Sequence, residues 1–291
     1  MSKSRYTFAS ILGYGDALIS LQLLQQASPF PAPLRIAGTA ITQDVQTAIK
    51  TDLSVTRVLP DHAAFFRIRA AGFRRCVEDI RAFRRWSESA LSRDDSVLFE
   101  KRDFRNHLIL GRCGARIIEP ETTDSSYVDR KNMIERVTGR KLVLADCHRP
   151  AAGVRSVLIN PSARARHREI PTDVMQNLVT IFRRRGIRVS ITDPAKQFAD
   201  ISSLFDQYLG RLDLADAMAL MRGHDLHIGP DSFFIHVAYY LRVPFFTILP
   251  WLDFDFYFAP PGSKGLGNFI ALPVARDPSK LELALGNFLG W

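Results

Sequence analysis

The chain has 291 residues, of which 46% are hydrophobic and 24% are charged. This length and composition are typical of a globular protein with one or two substantial cores, and the length favours two domains. The formal net charge of +9 attracts polyanions, a class that includes nucleic acid, acidic lipid headgroups and phosphorylated substrates. The sequence has no apolar run of about eighteen residues, and its N-terminus becomes polar too soon for a signal peptide, so we predict a cytoplasmic location.

Cysteine and histidine spacing argues against a metal site. Cys76, Cys113 and Cys147 lie far apart without a Cys-x-x-Cys pair, which favours free thiols in a reducing compartment. The histidines never fall into a metal-ligand spacing with cysteines or carboxylates. The sequence also lacks a Gly-x-Ser-x-Gly elbow, which argues against an acyl hydrolase. We therefore predict neither a metal nor a cofactor.

The first half alternates strand-like and helical segments. Tyr6 to Leu12 is predicted as a strand, followed by a glycine-rich turn and a helix with Leu18, Leu21 and Leu24 on one face. Asp16 then stands at the mouth of the predicted sheet, either as a functional carboxylate or as the helix N-cap. Further strands are predicted at 34–37, 55–59, 96–100 and 115–118, with helices at 44–49, within 62–91 and around 133–137.

Arginines are concentrated in three segments. Each cluster has two interpretations: a functional surface that binds a partner, or the solvent-exposed face of a helix. The segment 62–91 interleaves arginine with aromatic and aliphatic residues, which suits either an acidic membrane surface or an amphipathic helix packed on the sheet. The clusters are Arg67, Arg69, Arg74, Arg75, Arg81, Arg84 and Arg85; Arg164, Arg166 and Arg168; and Arg183, Arg184 and Arg185.

The second half repeats the same alternation after a predicted boundary at residues 150/151. Pro171 suits the first turn of a helix that we expect to end at Arg184. Strands are predicted at 154–159, 187–192, 226–229 and 245–249, with further helices at 214–221, from 233 and at 278–288. Two βα-repeating halves predict an α/β chain of two Rossmann-like domains, 1–150 and 151–291, facing across a cleft.

Residues 225–250 have the pattern strand, turn, helix, strand. Ser232 is a good N-cap, so the helix is expected to begin at Phe233 with its free backbone N–H groups facing the turn. A helix N-terminus at the carboxyl end of a parallel strand is where α/β sheets bind phosphate. Asp231 and His236 flank that point, and we predict a phosphate site there.

Three motifs, in this order, resemble those of one enzyme family. The segments are GYGDALISLQLLQQ, with Asp16; INPSARARHREIP, with Arg168 and Pro171; and the stretch from Asp231 to Leu249. They are similar to motifs of the heptosyltransferases, glycosyltransferase family nine, which transfer heptose from ADP-heptose to the lipopolysaccharide core. The resemblance implies a GT-B fold, with the acceptor on domain 1–150 and the nucleotide-sugar donor on domain 151–291.

The resemblance also implies roles for individual residues. Asp16 matches the catalytic aspartate, the base that deprotonates the acceptor hydroxyl, with Gly15 beside it. Arg168 stands where the family has lysine and would stabilise the leaving diphosphate together with the backbone at Ser232 and Phe233. Asp231 would orient the loop or contact donor hydroxyls. Three further donor-side candidates are Ser162, His236, which is equally well explained as a half-buried helix histidine, and Lys264.

The sequence departs from the family pattern at the donor side. Phe233 replaces the glycine that follows Asp-Ser, where a glycine lets backbone approach a diphosphate closely. Phe234, Tyr239 and Tyr240 replace smaller residues, and Ile170 stands where tryptophan is usual. The aromatic segment 251–258 is expected either to stack on the base or to pack on its own domain.

The predicted function is therefore inverting, metal-independent transfer of a heptose-like sugar from a nucleotide-diphosphate sugar, first of all an ADP-linked one. The acceptor is expected to be an anionic saccharide or a lipid-linked one of lipopolysaccharide type, and peripheral contact with the inner membrane stays open. Two alternatives are a non-catalytic glycan- or nucleotide-binding protein, suggested by Phe233, and a nucleotide-sugar epimerase. Nucleic-acid binding rests on charge alone and is not expected.

Overall fold

The structure is a computed structural model that describes residues 5–61, 72–111, 113–123, 125–151, 153–251 and 256–291. The chain divides into two compact units, Met1–Leu144 and Ala145–Trp291. Each unit is a parallel β-sheet with helices in the connections between its strands. The observed architecture confirms the predicted α/β class.

The first unit has five described strands in the order β3-β2-β1-β4-β5. The chain runs outward from β1 to β3 and then returns to pair β4 with β1, so β1 and β4 flank a topological switch point, where open α/β sheets bind ligands. The described elements are β1 Tyr6–Ser10, α1 Tyr14–Ala27, β2 Leu34–Thr39, α2 Ala40–Ile49, β3 Val55–Leu59, α3 Phe73–Ala90, β4 Ser96–Phe99, α4 Arg105–Leu110, β5 Arg116–Ile118 and α5 Ser126–Thr138.

The second unit has six described strands in the order β11-β10-β9-β6-β7-β8, with its switch point between β6 and β9. Three 3-10 turns, Arg166–Arg168, Ala199–Leu204 and Phe256–Phe258, interrupt its loops. The other described elements are β6 Ser156–Ile159, α6 Thr172–Arg184, β7 Arg188–Thr192, β8 Gln207–Leu209, α7 Leu214–Arg222, β9 Leu226–Pro230, α8 Phe233–Leu241, β10 Phe245–Leu249, α9 Ser263–Leu266, β11 Phe269–Ala271, α10 Leu272–Ala275 and α11 Pro278–Leu289.

Continuous apolar strands and one-sided helices explain this layering. The central strands of the second unit are buried along their whole length, as expected for parallel strands covered on both faces. In α6, Val174, Leu178 and Phe182 recur four residues apart and enter the core of that unit. Pro171 is the N-cap of α6, so the helix begins at Thr172, one residue after the predicted start, and ends at Arg184 as predicted.

Segments with a strong apolar pattern were predicted best. The predicted strands at 55–59 and 245–249 are confirmed at both ends. The strands predicted at 34–37 and 226–229 extend one or two residues further, and the other predicted strands are shorter than expected. The sequence pattern missed β8 and β11, because a three-residue edge strand shows too little periodicity. It also missed α4 and most of α5, a helix whose residues are largely polar.

Helix α3 carries most of the first arginine cluster, while Arg67 and Arg69 lie outside the described residues. Its buried face includes Phe83, whose ring lies 6.4 Å from that of Phe99 in β4. Residues 73–90 therefore pack on the sheet as an amphipathic helix. Over the described part of the chain, no helix is both long and apolar enough to cross a membrane.

The third arginine cluster has a structural role. Arg184 and Arg185 contact Glu282 of α11 at 2.8 and 3.2 Å, and Arg185 also lies 4.1 Å above the Trp291 ring. These contacts connect α6 to the C-terminal helix. Arg184 and Arg185 therefore join two helices of the same unit and do not form a binding surface of their own.

Candidate functional site

Asp16 lies at the carboxyl edge of the first sheet, beside the switch point. It is the third residue of α1, and its Oδ2 accepts the backbone N–H of Gly13 at 3.3 Å. Gly13 holds the N-cap position, so the alternative prediction of Asp16 as N-cap is wrong, although Asp16 does cap the helix from inside its first turn. Gly15 is the second residue of the helix, in the turn whose backbone N–H groups have no helical partner.

An arginine on α5 holds the other oxygen of Asp16. Arg130 Nη2 donates to Asp16 Oδ1, and its Nε donates to the backbone carbonyl of Glu100 at 3.1 Å. The Arg130 side chain is 2% exposed and that of Asp16 is 25% exposed. The ion pair therefore fixes a solvent-accessible carboxylate against a buried cation, which orients Asp16 and keeps one of its edges accessible.

Glu100 follows β4 directly and completes this arrangement. Its Oε1 accepts the hydroxyls of Ser10 and Ser20, and its Oε2 accepts the backbone N–H groups of Ile11 and Leu12, all at 3.0–3.1 Å. The residue is 3% exposed. Burial raises the pKa of Glu100 to about 7; Arg130 opposes this rise and Asp16 adds to it.

Sequence reasoning missed Glu100 and Arg130. A carboxylate directly after a buried parallel strand is a detectable signal, and Glu100 has it just as Asp16 does, but the pattern assigned Glu100 to the strand itself. Arg130 has no such local signal. It lies in a polar helix, and only the packing of α5 beside α1 brings it to Asp16.

The second site candidate lies at the carboxyl edge of the second sheet, where the segments after β6 and β9 meet. Arg168 Nη1 donates to Asp231 Oδ2 at 2.7 Å, with side chains 38% and 11% exposed. Burial raises the pKa of Asp231, while the Arg168 guanidinium opposes that rise. The ion pair joins the basic 3-10 turn to the loop that precedes α8, so two of the predicted donor-side residues meet.

Several polar atoms at this edge have no hydrogen-bond partner within the described residues. They are Ser162 Oγ, Ser232 Oγ and Arg168 Nε, together with Asn160 Oδ1 at the end of β6. Ser232 is the N-cap of α8, as predicted, but its hydroxyl makes no capping bond. Buried polar atoms are rarely left unpaired in proteins, so this combination is typical of a site that receives a polar ligand.

Phe233 and His236 lie on α8 behind this edge. Phe233 is half-buried with its ring 5.6 Å from that of Phe234, and His236 is 8% exposed. This burial favours the interpretation of His236 as a helix histidine packed in the protein over its interpretation as a ligand contact. Ile170, where the family has tryptophan, belongs to the hydrophobic core of the unit.

Lys264 does not join these residues. It follows Ser263, whose hydroxyl lies 3.5 Å from the Cys147 thiol, and Ala145 in turn accepts the Tyr239 hydroxyl near the C-terminal end of α8. That end of α8 lies at the opposite edge of the sheet from Ser232. The structure therefore does not bring Lys264 to Ser232, and its phosphate contact stays a prediction.

Trp251 contributes an aromatic group on the side of the basic turn. Its ring stacks on His167 with centroids 5.6 Å apart and planes 18° from parallel. Residues 252–255 of the predicted aromatic segment lie outside the described residues. The described contact belongs to the second unit alone, as the interpretation of an aromatic group packed on its own domain requires.

A cavity of about 700 Å³ lies at the amino edge of the second sheet, away from Ser232. Its lining includes Arg149, Arg155, Arg222 and Arg242. Arg222 lies in the last turn of α7 and Arg242 is the C-cap of α8, where a cation stabilises the negative end of the helix dipole. The positions of Arg222 and Arg242 are therefore explained by stabilisation of the two helix ends.

No group of three histidine, cysteine, aspartate or glutamate side chains among the described residues could hold a metal ion. Positive charge at the carboxyl edge of the second sheet comes from Arg168 and from the N-terminus of α8.

Solved structures share this fold over nearly their whole length. An E. coli heptosyltransferase, WaaC, with ADP is 14% identical, with a TM-score of 0.68 over 98% of this chain and 99% of that chain. E. coli ADP-heptose lps heptosyltransferase II is 13% identical, with a TM-score of 0.62 over 98% of both chains. A glycosyl transferase family 9 protein from Veillonella parvula is 12% identical, with a TM-score of 0.65 over 98% and 97%. At these identities the likeness establishes the GT-B fold.

A sequence match over part of the chain agrees with this likeness. The model of glycosyltransferase family 9 (heptosyltransferase) matches residues 130–249. The chain is a heptosyltransferase-like glycosyltransferase. No curated protein matches its sequence.

The matched range of the glycosyltransferase contains Ser162, Arg168 and the Asp231–Ser232 turn. It begins at Arg130, the residue that pairs with Asp16, and Asp16 itself lies before it. The likeness in fold and the sequence match therefore both cover the donor-side candidates of the second unit. A functional role for Asp16 rests on its position and contacts.

Proposed function

We propose that this glycosyltransferase moves a sugar, heptose or a close relative, from a nucleotide-diphosphate sugar to a saccharide acceptor, with inversion and without a metal ion. An ADP-linked donor is the first candidate, because similar structures are described with ADP and with an ADP-heptose analogue. The observation that carries the proposal is the set of unpartnered polar atoms around the N-terminus of α8.

The donor side of the proposal follows from charge. A diphosphate at Ser232 would meet the backbone N–H groups of the first turn of α8 and the positive end of its dipole. Arg168 is close enough to the same turn to pair with Asp231. It would stabilise the negative charge that grows on the leaving diphosphate. In this role Asp231 orients Arg168, and the nucleotide takes over part of that contact.

The acceptor side of the proposal assigns Asp16 as general base. In the transfer step the acceptor oxygen forms a bond to the anomeric carbon while the bond from that carbon to the diphosphate oxygen breaks. The hydroxyl proton goes to Asp16, and the electron pair of the broken bond goes to the diphosphate. Attack from the face opposite the leaving group inverts the anomeric centre.

Donor binding tests the proposal, with a glutamine at position 168 as the variant. Arg168→Gln removes a charged hydrogen-bond donor, and we expect the Kd for ADP to rise about 30-fold, since such bonds are worth about 2 kcal/mol. Isothermal titration calorimetry measures it. Arg211→Gln, an exposed arginine before α7, is the charge-matched control. Equal ADP affinity in wild type and Arg168→Gln would remove Arg168 from the donor site.

Product analysis distinguishes the proposal from two other activities. Incubation with ADP-heptose and a heptose-free lipopolysaccharide core should give the glycosylated product with the inverted anomer. An epimerase would alter the sugar nucleotide with no acceptor present. The half-buried ring of Phe233 at the start of α8 favours a third outcome, a binding protein that takes up ADP without turnover. Tight ADP binding with no transfer to any core acceptor would establish that outcome.

Contact with an acidic membrane is part of the same proposal. Phe104 before α4 is 79% exposed, and Arg81 and Arg85 lie exposed on the neighbouring helix α3. Exposed aromatic and basic side chains together suit an anionic lipid surface. We expect co-sedimentation with phosphatidylglycerol-containing vesicles, and weaker binding for Phe104→Ser combined with Arg81→Gln and Arg85→Gln. Equal binding to pure phosphatidylcholine vesicles would contradict this interpretation.

A further inference from the structure

Glu100 is a buried carboxylate in the first unit to which the proposed reaction gives no task. We propose that Glu100 is a positioning residue for that reaction: its ionised side chain fixes the turn that carries Asp16 and balances the charge of Arg130, while its main-chain carbonyl holds Arg130 against Asp16. The inference rests on the proposed role of Asp16 as base. Glu100 itself is buried, so it would act through the Asp16 carboxylate and would not touch substrate.

The first anchor is the turn between β1 and α1. Three consecutive backbone N–H groups in this turn are held by carboxylates, because Ile11 and Leu12 donate to Glu100 and Gly13 donates to Asp16. The Ser10 and Ser20 hydroxyls fix the second oxygen of Glu100 from β1 and α1. Glu100 therefore sets the path of the backbone on which the Gly13–Asp16 hydrogen bond depends.

The second anchor is Arg130. Its Nε donates to the main-chain carbonyl of Glu100, and this contact leaves Nη2 directed at Asp16. A planar guanidinium held at one nitrogen presents the others in a fixed geometry. The position of residue 100 at the end of β4 thus determines where Arg130 meets Asp16.

Charge gives Glu100 a second effect on the base. The charged side chains that face Glu100 are Asp16 from α1 and Arg130 from α5, while β1 and α1 otherwise offer it hydroxyl and N–H donors. A guanidinium paired with a carboxylate weakens that carboxylate as a base, and a second carboxylate near the same guanidinium opposes this effect. Without the Glu100 charge, the Arg130 guanidinium would face one carboxylate in place of two, and more of its charge would act on Asp16.

Glu100→Gln tests the proposal without removing the hydrogen bonds. The amide oxygen can accept from Ile11 and Leu12, and the amide nitrogen can donate to the two serine hydroxyls, so only the charge is lost. We expect kcat to fall about tenfold at pH 8, because the unbalanced guanidinium charge opposes proton transfer to Asp16, with an unchanged KM for the donor.

The pH profile gives a readout that a purely structural role would not move. Because burial raises the pKa of Glu100 to about 7, wild-type kcat should decline as the pH falls through that value. Glu100→Gln should lack this step, and Glu100→Asp, which keeps the charge, should retain it. Glu88→Gln, an exposed carboxylate on α3, is the control. A Glu100→Gln enzyme with wild-type kcat and the same step would overturn the proposal.

Failure of the proposed function is distinguishable from failure of this inference. If wild type transfers no sugar to any acceptor, the proposed function fails. If Asp16→Asn keeps full activity, Asp16 is not the base, and this inference fails while the transfer activity stands. If Asp16→Asn is inactive while Glu100→Gln is normal, only the inference fails.

Thermal unfolding adds a measurement that needs no substrate. The folded pKa of Glu100 lies above the value of 4.5 for an unperturbed glutamate, so the folded state binds its proton more tightly. Wild type should therefore lose stability relative to Glu100→Gln as the pH rises from about 4.5 to about 7, with no further loss above. A constant difference over that range would show that folding does not raise the pKa of Glu100, and it would overturn the predicted step in kcat near pH 7.

Discussion

Asp16→Asn is expected to lower kcat about 10³-fold, because a positioned general base contributes about 10²–10⁴-fold to a proton transfer. Asparagine is almost the same size, and its amide oxygen can still accept the Gly13 N–H that caps α1. It cannot take the proton of the acceptor hydroxyl. Steady-state transfer of sugar to a saturating acceptor measures the effect, and the KM for the donor should stay unchanged.

A second aspartate in the same unit provides the control for this substitution. Asp44 lies exposed on α2 and accepts the Tyr14 hydroxyl at 3.1 Å, so Asp44→Asn removes a carboxylate that is not held by Arg130. Its kcat should remain within about twofold of wild type, as for most exposed substitutions. If Asp16→Asn retains more than about a tenth of wild-type kcat, another group removes the proton.

Arg130→Met is expected to lower the free energy of unfolding by about 3 kcal/mol at pH 8, because removing one partner of a buried ion pair leaves an uncompensated charge. The methionine can occupy much of the volume of the arginine stem, so the loss is mainly electrostatic. Without Arg130, Glu100 loses the cation that opposes its burial, and Asp16 loses its ion pair. Urea unfolding followed by circular dichroism measures the change.

The pH dependence of this loss follows from the sign of the Glu100 shift. Glu100 in wild type already takes up a proton near pH 7, and without Arg130 it should do so at a higher pH. Below that range the carboxyl is neutral in both proteins, so the difference in stability should shrink toward about pH 5. An equal loss at both pH values would show that packing, and not charge, explains the effect.

A matched control lies on the same helix. Arg136 pairs with Glu121 at the surface, and both side chains are exposed. Arg136→Met should cost less than about 1 kcal/mol, as for other exposed ion pairs. A similar loss in both variants would mean that α5 tolerates no methionine, and the buried charges would then not be the cause.

The two sheet edges differ in how far the sequence could predict them. At the second edge, Ser232 begins a helix directly after a buried strand, and Arg168 follows the neighbouring strand at short range. A local signal therefore identified Ser232, and the resemblance to the family motif identified Arg168. At the first edge, Asp16 had such a signal, whereas Arg130 lies more than a hundred residues away and its partner was set by helix packing.

The position of Lys264 was also beyond what its local sequence could predict. A lysine after a proline- and glycine-rich turn suited a phosphate contact, but the chain crosses from one edge of the sheet to the other between β10 and β11. The number of residues between Ser232 and Lys264 does not show at which edge of the sheet Lys264 lies.

The sequence by itself determined the alternation of strands and helices, the two parallel sheets and the turn at Ser232, because burial on both faces and helix capping act over a few neighbouring residues. Only the tertiary structure decided which charges share a buried site. Asp16, Glu100 and Arg130 come from three elements that meet beside one switch point. Whether a carboxylate there is paired, raised in pKa or open to solvent depends on those non-local contacts, which have no periodicity along the chain.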